Sequence, residues 1–238
     1  MRVLVTRPQA DGEATATRLR ARGHVVIVAP LLQIETMDAD LAGEFTAIIM
    51  TSSNAARAAA VHPEKSRIQH LPVFAVGART AQAARDAGFE TIISGDGDGS
   101  DLVRLITARL ADPSRLLLYL AGEDRAIDLE AALAAHGLSL HTAIVYRAVA
   151  ASRLPPDAEK ALARREVDGV LHYSRRSAET FVAAVRAADV ATPAMAAGHY
   201  CLSADIGAVL TNAGAGRVEI AAKPDENALF VLLDHDPT

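Results

Sequence analysis

Tryptophan is absent from the 238 residues, and aromatic residues make up only 4% of them. Smaller apolar residues must therefore fill the interior, and hydrophobic residues of all types reach 50%. A single cysteine excludes an internal disulfide framework. No apolar run approaches the roughly 18 residues that a membrane span needs. Arg7 and Pro8 interrupt the first apolar run, so we expect no secretory leader and a cytoplasmic location.

Basic residues are also fewer than acidic ones, 24 against 29, so the formal net charge is −5. This balance argues against nucleic acid or an anionic membrane as the main partner. The eight histidines show no paired ligand spacing, which argues against a metal site. The loop 95–100 (GDGDGS) lacks the third glycine of a dinucleotide-binding turn, and its two aspartates would repel a pyrophosphate. We therefore expect a flexible loop there, and no cofactor or metal.

The sequence does contain an internal repeat. The segment 2–8 (RVLVTRP) is echoed by 115–125 (RLLLYLAGEDR), and each is followed by a helical stretch, a glycine and a second apolar run. The other echoes pair 47–56 with 169–178, and 73–93 with 200–220. A repeat of more than about fifty residues is too long for a solenoid unit and indicates two similar domains. We expect a cleft between them that binds a small molecule.

Short apolar runs alternate with stretches of helical periodicity, which predicts parallel sheets covered by helices on both faces. Ten strands are predicted, enough for two sheets of five. They are Val3–Thr6, Val25–Val28, Ala47–Thr51, Val73–Val76, Thr91–Ser94, Leu116–Leu120, His141–Tyr146, Gly169–Tyr173, His199–Leu202 and Val218–Ala221. The chain could fill one domain and then the other. It could also begin one domain, build the second whole and return, crossing near 31–38 and 147–156.

The ordered motifs VTRPQ, VAP, IIMTSSNA, FAVGARTAQAARDAGF and IVYR resemble the uroporphyrinogen-III synthase family over essentially the whole chain. The resemblance implies a discontinuous first domain, residues 1–35 plus 148–238, and an inserted second domain, residues 36–147. Each domain would be an α/β fold with a five-stranded parallel sheet of flavodoxin-like order, flanked by helices. A two-stranded ladder would join them.

The resemblance also implies an activity, the closure of the linear tetrapyrrole hydroxymethylbilane into uroporphyrinogen III with inversion of its last ring. Hydroxide leaves the terminal hydroxymethyl group to give an azafulvene. The substituted carbon of the last ring attacks it, and the resulting spiro intermediate fragments and recloses. Such a reaction needs a fixed substrate conformation and an acid for the leaving group. Tyr146, in IVYR, is the predicted catalytic acid, because a phenol is protonated at neutral pH. A tyrosine that merely caps a core is the alternative.

Substrate binding is predicted at turns that follow strands, because helix N-termini at the carboxyl edge of a parallel sheet attract anions such as the substrate carboxylates. Ordinary helix caps are the alternative for the hydroxyl residues, and both roles are compatible. Gly77 is expected to let backbone approach the ligand. Arg7 is expected to bind a carboxylate. The predicted binding residues are Arg7, Thr51, Ser52, Ser53, Asn54, Gly77, Thr80, Ser174, Ser177 and Ser203.

Two turns depart from the family pattern. The run 203–207 (SADIG) stands where Gly-x-x-Thr-Ala is expected, and 172–176 (HYSRR) replaces a Thr-Ser-Pro type turn. They leave open an alternative function, a divergent, non-catalytic two-domain protein that binds a small anionic ligand. For the main hypothesis we expect a monomer that binds a linear tetrapyrrole and contacts the upstream deaminase transiently.

Overall fold

The computed structural model describes residues 1–95, 97–110, 115–125 and 128–234. Eleven strands lie in these ranges. They are β1 (Arg2–Val5), β2 (Val25–Val28), β3 (Leu32–Thr36), β4 (Ala47–Met50), β5 (Val73–Ala75), β6 (Ile92–Ser94), β7 (Leu116–Gly122), β8 (Ser139–Ala150), β9 (Gly169–His172), β10 (Gly198–Cys201) and β11 (Arg217–Ile220).

The same ranges contain eleven helices, and most of them connect successive parallel strands. They are α1 (Gln9–Arg20), α2 (Ser53–Val61), α3 (Lys65–Ile68), α4 (Ala78–Asp86), α5 (Gly99–Arg109), α6 (Leu129–Ala134), α7 (Pro156–Ala163), α8 (Arg175–Ala187), α9 (Ala191–Ala196), α10 (Ala204–Asn212) and α11 (Glu226–Asp234). Within the described ranges, no helix is both long and apolar enough to cross a bilayer.

The chain forms two compact units, residues 1–33 with 149–238 (unit 1) and residues 34–148 (unit 2). It passes from one unit to the other within β3 and again within β8. Unit 1 holds a parallel sheet of order β11-β10-β9-β1-β2, which is the flavodoxin order when its strands are counted along the chain. Apolar layers cover both faces of this sheet.

The sheet of unit 2 has the order β3-β8-β7-β4-β5-β6, with β4 to β8 parallel. Counted along the chain, its parallel strands give the order 3-2-1-4-5, because the chain enters the parallel part of this sheet at β4 instead of β7. The flavodoxin order returns if counting begins at β7. The α/β class with two five-stranded parallel cores is confirmed.

A sixth strand, β3, was not among the ten strands predicted from apolar runs, but with β8 it forms the two-stranded ladder that the resemblance implied. It runs antiparallel along β8, as the hydrogen bonds Met37 N to Val145 O (2.8 Å) and Ala151 N to Leu31 O (2.9 Å) at its two ends show. β8 is therefore much longer than the predicted His141–Tyr146. The polar residues that alternate through β3 give it no continuous apolar signal, so its strand conformation depends on a partner distant in sequence.

Each echo in the sequence occupies the same place in its own sheet. Ile48 in unit 2 pairs with Leu118 and Val73, just as Val170 in unit 1 pairs with Leu4 and His199. β4 therefore corresponds to β9, β7 to β1, and β5 to β10. This correspondence lets every residue at the edge of one sheet be compared with a counterpart in the other.

The glycine in each repeat, Gly23 or Gly137, ends a helix in the same way. Gly23 follows α1 with φ +86°, and Gly137 follows α6 with φ +78°, a left-handed conformation that glycine adopts without a steric penalty. In each case the next residue donates its N–H back to the helix, His24 N to Leu19 O and Leu138 N to Leu133 O, both at 3.1 Å. The two helices therefore end in the same way and return the chain to the sheet.

The glycine–aspartate loop between β6 and α5 serves the helix that follows it. Asp98 caps α5 by accepting a hydrogen bond from Asp101 N at 2.8 Å, and Ser100 donates to the same carboxylate at 2.7 Å. The prediction of a flexible loop falls partly on Asp96, which lies outside the described residues.

Candidate functional site

Tyr146, the predicted acid, lies near the carboxyl end of the sheet of unit 2, in β8. The register shifts between Ala121 and Gly122 of β7, where β8 has one extra residue, Val145, and this shift brings Gly122 opposite Tyr146. A Cβ atom on Gly122 would lie only 2.6 Å from Cζ of Tyr146 and 2.7 Å from its hydroxyl. The phenol therefore lies directly on the backbone of β7, in space that only glycine leaves open.

The environment of Tyr146 favours the protonated phenol. The side chain is half-buried, and burial raises its pKa above 10.0. A hydrogen bond with the hydroxyl of Ser52 opposes the rise, while the nearby Tyr119 and Asp124 add to it. Tyr146 consequently holds its proton at neutral pH and contacts a hydroxyl group that can stabilise the phenolate.

The turn after β4 supplies that hydroxyl. Ser52 is the N-cap of α2, and its Oγ accepts a hydrogen bond from Asn54 N at 3.1 Å. Thr51 Oγ1 lies 2.9 Å from the hydroxyl of Tyr119, whose side chain is buried. The Oδ1 atom of Asn54 accepts from Arg57 at 2.9 Å, and Ser53 is buried in the first turn of α2. The adjacent residues Thr51 and Ser52 thus contact two different phenols, Tyr119 and Tyr146.

The turn after β5 is packed more tightly. Gly77 precedes α4 in an extended conformation, so its φ does not require glycine. A Cβ there would lie 3.2 Å from Cα of Gly97, which shows that the small residue accommodates the following loop of the same unit. Thr80 is only 5% exposed in the first turn of α4. Ligand contacts for Gly77 and Thr80 stay predictions.

In unit 1, Arg7 stands at the carboxyl end of β1 with a side chain only 11% exposed. Its guanidinium donates to Glu226 at 2.8 Å, lies 3.5 Å from the carboxylate of Asp11, and stacks 4.4 Å from the ring centre of Tyr173. Thr15 also donates to Glu226, at 2.5 Å. The structure therefore places Arg7 in an internal ion-pair cluster, and a substrate carboxylate would compete with Glu226 for it.

The serines of unit 1 have two kinds of environment. Ser174 caps α8 by accepting from Ser177 N at 3.1 Å, and the hydroxyl of Ser177 donates back to Ser174 O at 2.9 Å. This is the capping role given as the alternative for these residues. Ser203 precedes α10 and makes no capping hydrogen bond with its side chain. Of the three, Ser203 is the one that leaves its helix N-terminus uncapped.

Sequence reasoning missed Tyr119, Gly122 and Glu226. Tyr119 was visible as the one hydroxyl in the run LLLYLAG, and Gly122 as the glycine that ends this run. Nothing local indicated Glu226, because its partners Arg7 and Thr15 lie more than 200 positions away. Among the described residues, no cluster of three histidines, cysteines or carboxylates could hold a metal ion.

Comparison with known proteins complements this geometry. A family model described as uroporphyrinogen-III synthase HemD matches residues 13–231. A solved uroporphyrinogen-III synthetase from Helicobacter pylori 26695 is similar at 19% identity, with 98% of each chain covered and a TM-score of 0.66. A mutant uroporphyrinogen III synthase from the extremely thermophilic bacterium Thermus thermophilus is similar at 17% identity over 98% of this chain and 97% of that one, with a TM-score of 0.50. No curated protein matches the chain.

Proposed function

Because the chain belongs to the uroporphyrinogen-III synthase family, we propose that Tyr146 is the general acid of a bilane-closing site at the carboxyl edge of unit 2. The supporting observation is its placement: a protonated phenol, seated on Gly122 and hydrogen-bonded to Ser52. The family match bears out the resemblance that the motifs predicted, whereas nothing supports the non-catalytic alternative.

The reaction is the cyclisation of hydroxymethylbilane to uroporphyrinogen III with loss of water, a lyase step of haem biosynthesis. In the proposed mechanism, Tyr146 donates its proton as the terminal carbon–oxygen bond breaks, so hydroxide leaves as water. The last ring attacks the resulting azafulvene to give the spiro intermediate. Fragmentation and reclosure turn that ring over, and the proton released when the ring regains aromaticity restores the phenol.

Ser52 supports this proton transfer in the proposed mechanism. Its oxygen already accepts a hydrogen bond from Asn54 N at the start of α2. Its own proton is therefore oriented away from the helix, towards the oxygen of Tyr146. Donation from Ser52 strengthens as the phenol becomes a phenolate, so the contact stabilises the transition state more than the ground state. The positive end of the α2 dipole acts in the same direction.

The other predicted residues are proposed to bind the acetate and propionate groups of the substrate. Ser203 and the N–H groups that open α10 are the best supported in unit 1, because no side chain caps this helix. Ser174 and Ser177 use their hydroxyls as caps, which leaves a contribution from neighbouring backbone groups. Arg7 would contribute mainly by shaping this edge, since Glu226 holds its guanidinium.

We further propose that the protein acts as a cytoplasmic monomer that meets the upstream deaminase only transiently. The chemistry of the substrate supports the transient contact with the deaminase, since the bilane closes spontaneously to the type I isomer when left in water. A short interval between its release and capture would limit that loss.

The test is direct. Purified protein is added to hydroxymethylbilane made in place by a deaminase, and the oxidised porphyrin isomers are separated. Type III product above the spontaneous type I background is the expected result. Type I alone, from protein shown to be folded, would reject the proposed activity.

A further inference from the structure

Tyr119 is a buried phenol that the proposed mechanism does not use. It lies in the middle of β7 among leucines and is 4% exposed. Strand register makes Val5 its counterpart in unit 1, so an aliphatic residue suits the same place in the other sheet. A buried hydroxyl needs a hydrogen-bond partner, which Val5 does not. The hydroxyl of Tyr119 therefore requires an explanation beyond packing.

Its partner is Thr51, at 2.9 Å. In β4, Ile49 pairs directly with Tyr119, and Thr51 lies two residues further along the same face. The long tyrosine side chain therefore reaches diagonally across the strands to the first residue beyond β4. Thr51 is joined directly to Ser52, the residue that contacts Tyr146. The Tyr119–Thr51 hydrogen bond thus ties the rigid sheet to the turn that carries Ser52.

We propose that Tyr119 is a positioning residue for the cyclisation: its hydrogen bond to Thr51 fixes the turn after β4 so that Ser52 meets the phenol of Tyr146. This inference rests on the proposed role of Tyr146 as the acid.

Two further observations agree with it. Tyr119 is among the groups that raise the pKa of Tyr146 electrostatically. Gly122, three residues after Tyr119 on the same strand, bears the ring of Tyr146. β7 therefore fixes the acid from two sides, through the backbone at Gly122 and through the turn held by Tyr119.

The test uses Tyr119→Phe, which keeps the ring and removes only the hydroxyl. A lost hydrogen bond of about 0.5–1.5 kcal/mol that acts on the acid corresponds to a fall in kcat of roughly threefold to tenfold. We expect KM to stay unchanged. Thr51→Val removes the same hydrogen bond, so Tyr119→Phe should cause no further fall in kcat in a Thr51→Val background. In a Tyr146→Phe background, Tyr119→Phe should leave kcat unchanged.

Tyr200→Phe is the matched control, since it removes a buried phenol hydroxyl in unit 1, where the counterpart in unit 2 is already Phe74. It should leave kcat as it is. A Tyr119→Phe variant with unchanged kcat would overturn the proposal. So would an equal loss of kcat with and without Tyr146, which would mean a purely structural effect.

A measurement independent of activity separates this proposal from the acid assignment. Tyrosines labelled with a carbon isotope at Cζ are observed by NMR, and Tyr146→Phe identifies the resonance of Tyr146. If Tyr119→Phe shifts this resonance, the positioning contact stands even where Tyr146→Phe proves active and the acid assignment fails. An unshifted resonance overturns the positioning role.

Discussion

After β4 in unit 2 stand Thr51 and Ser52, and at the matching positions after β9 in unit 1 stand Tyr173 and Ser174. Both serines cap a helix. Their surroundings differ, since Ser52 contacts a half-buried phenol, whereas the bonds of the Ser174 hydroxyl within the described part of the chain are to Ser177 of its own capping turn. The same backbone turn therefore takes part in a hydroxyl network in one unit and only in a cap in the other.

The charges at the two edges differ as well. In unit 1, Glu226 accepts hydrogen bonds from Arg7, Thr15 and Tyr173, and burial beside this carboxylate raises the pKa of Tyr173 far above 10.0. A phenol so placed already donates to a carboxylate and is a poor acid for another molecule. The hydroxyl of Tyr146 instead meets that of Ser52. The two edges of the duplicated architecture thus differ: a phenol meets a serine hydroxyl at one, and an ion-pair cluster lies at the other.

The cores differ at two matched positions. His172 and His199 lie in the apolar interior of unit 1, where unit 2 has Met50 and Val73. The Nε2 atom of His172 is 3.0 Å from Nδ1 of His199, and Nε2 of His199 is 3.2 Å from Ala194 O. His199 therefore donates to Ala194 and accepts from His172, so both rings are neutral. Among the described residues, Nδ1 of His172 is left without a partner.

The largest expected difference between the two units is in the effect of their edge tyrosines, Tyr146 and Tyr173, on kcat. Tyr146→Phe should lower kcat by about 10²–10⁴, the usual contribution of a general acid. Tyr173→Phe should leave kcat unchanged and lower only the free energy of unfolding, because its hydroxyl serves Glu226. Rates of type III product and chemical unfolding curves measure both effects. Equal losses of kcat in the two variants would contradict the division of roles.

The histidine pair predicts that unit 1 is the acid-sensitive unit. Burial lowers the pKa of His199 from 6.5 to about 4 and lowers that of His172 as well. The unfolded chain therefore binds protons that the native state rejects, and stability falls as pH drops from 6.5 towards 4. For His199 alone the full loss is roughly 3 kcal/mol, of which about 2 kcal/mol is lost by about pH 5.

Hydrogen exchange resolved by segment gives the measurement for this prediction, because it reports each unit separately. At about pH 5, protection should fall in β9 and β10 of unit 1 more than in β4 and β5 of unit 2. The control variant carries His172→Met and His199→Val, the residues that unit 2 has at these positions. It should lose the difference between the units, and a difference that persists would show that other groups cause it.

Two glycines test how closely each sheet packs on a tyrosine. Gly122→Ala would press on Tyr146, and Gly169→Ala would bring a Cβ to 2.7 Å from the ring of Tyr200 in unit 1. Overpacking of this kind costs about 1–3 kcal/mol, so both variants should be destabilised. Only Gly122→Ala should also lower kcat, because it displaces the acid. A similar fall in kcat for Gly169→Ala would mean that packing strain anywhere impairs the enzyme.

Much of this architecture could be predicted from the sequence because its signals are local. Ten strands were predicted from apolar runs that helices cover on both faces, and the echoes identified their matching positions. The apolar runs did not predict β3, since its polar residues alternate and it pairs with the distant β8; only the resemblance implied the ladder that these two strands form. The order of the parallel strands in the second sheet also agrees with the echoes, which match β7 with β1, β4 with β9 and β5 with β10; only the strand at which the chain enters differs.

The candidate site could also be predicted from the sequence where its signals are local. Ser52 and Tyr146 lie in motifs whose residue types carry their own chemistry, and the structure brings them together. Arg7 was expected to bind a ligand, but its environment is set by Glu226, which folds back from the far end of the chain. An arginine in a sequence shows only a cation that is able to bind a carboxylate. Whether that carboxylate belongs to the protein or to a substrate depends on tertiary contacts.

The smallest expected difference between the units concerns their capping serines, Ser52 and Ser174. Ser52→Ala and Ser174→Ala each remove a helix cap and should each cost about 1 kcal/mol of stability. Ser52 also lowers the pKa of Tyr146 by its hydrogen bond, so its loss should raise that pKa further. Since the protonated phenol is the active form, the alkaline decline of kcat should move to higher pH in Ser52→Ala and stay in place in Ser174→Ala. Profiles that coincide for the two variants would show that Ser52 acts only as a helix cap, as Ser174 does.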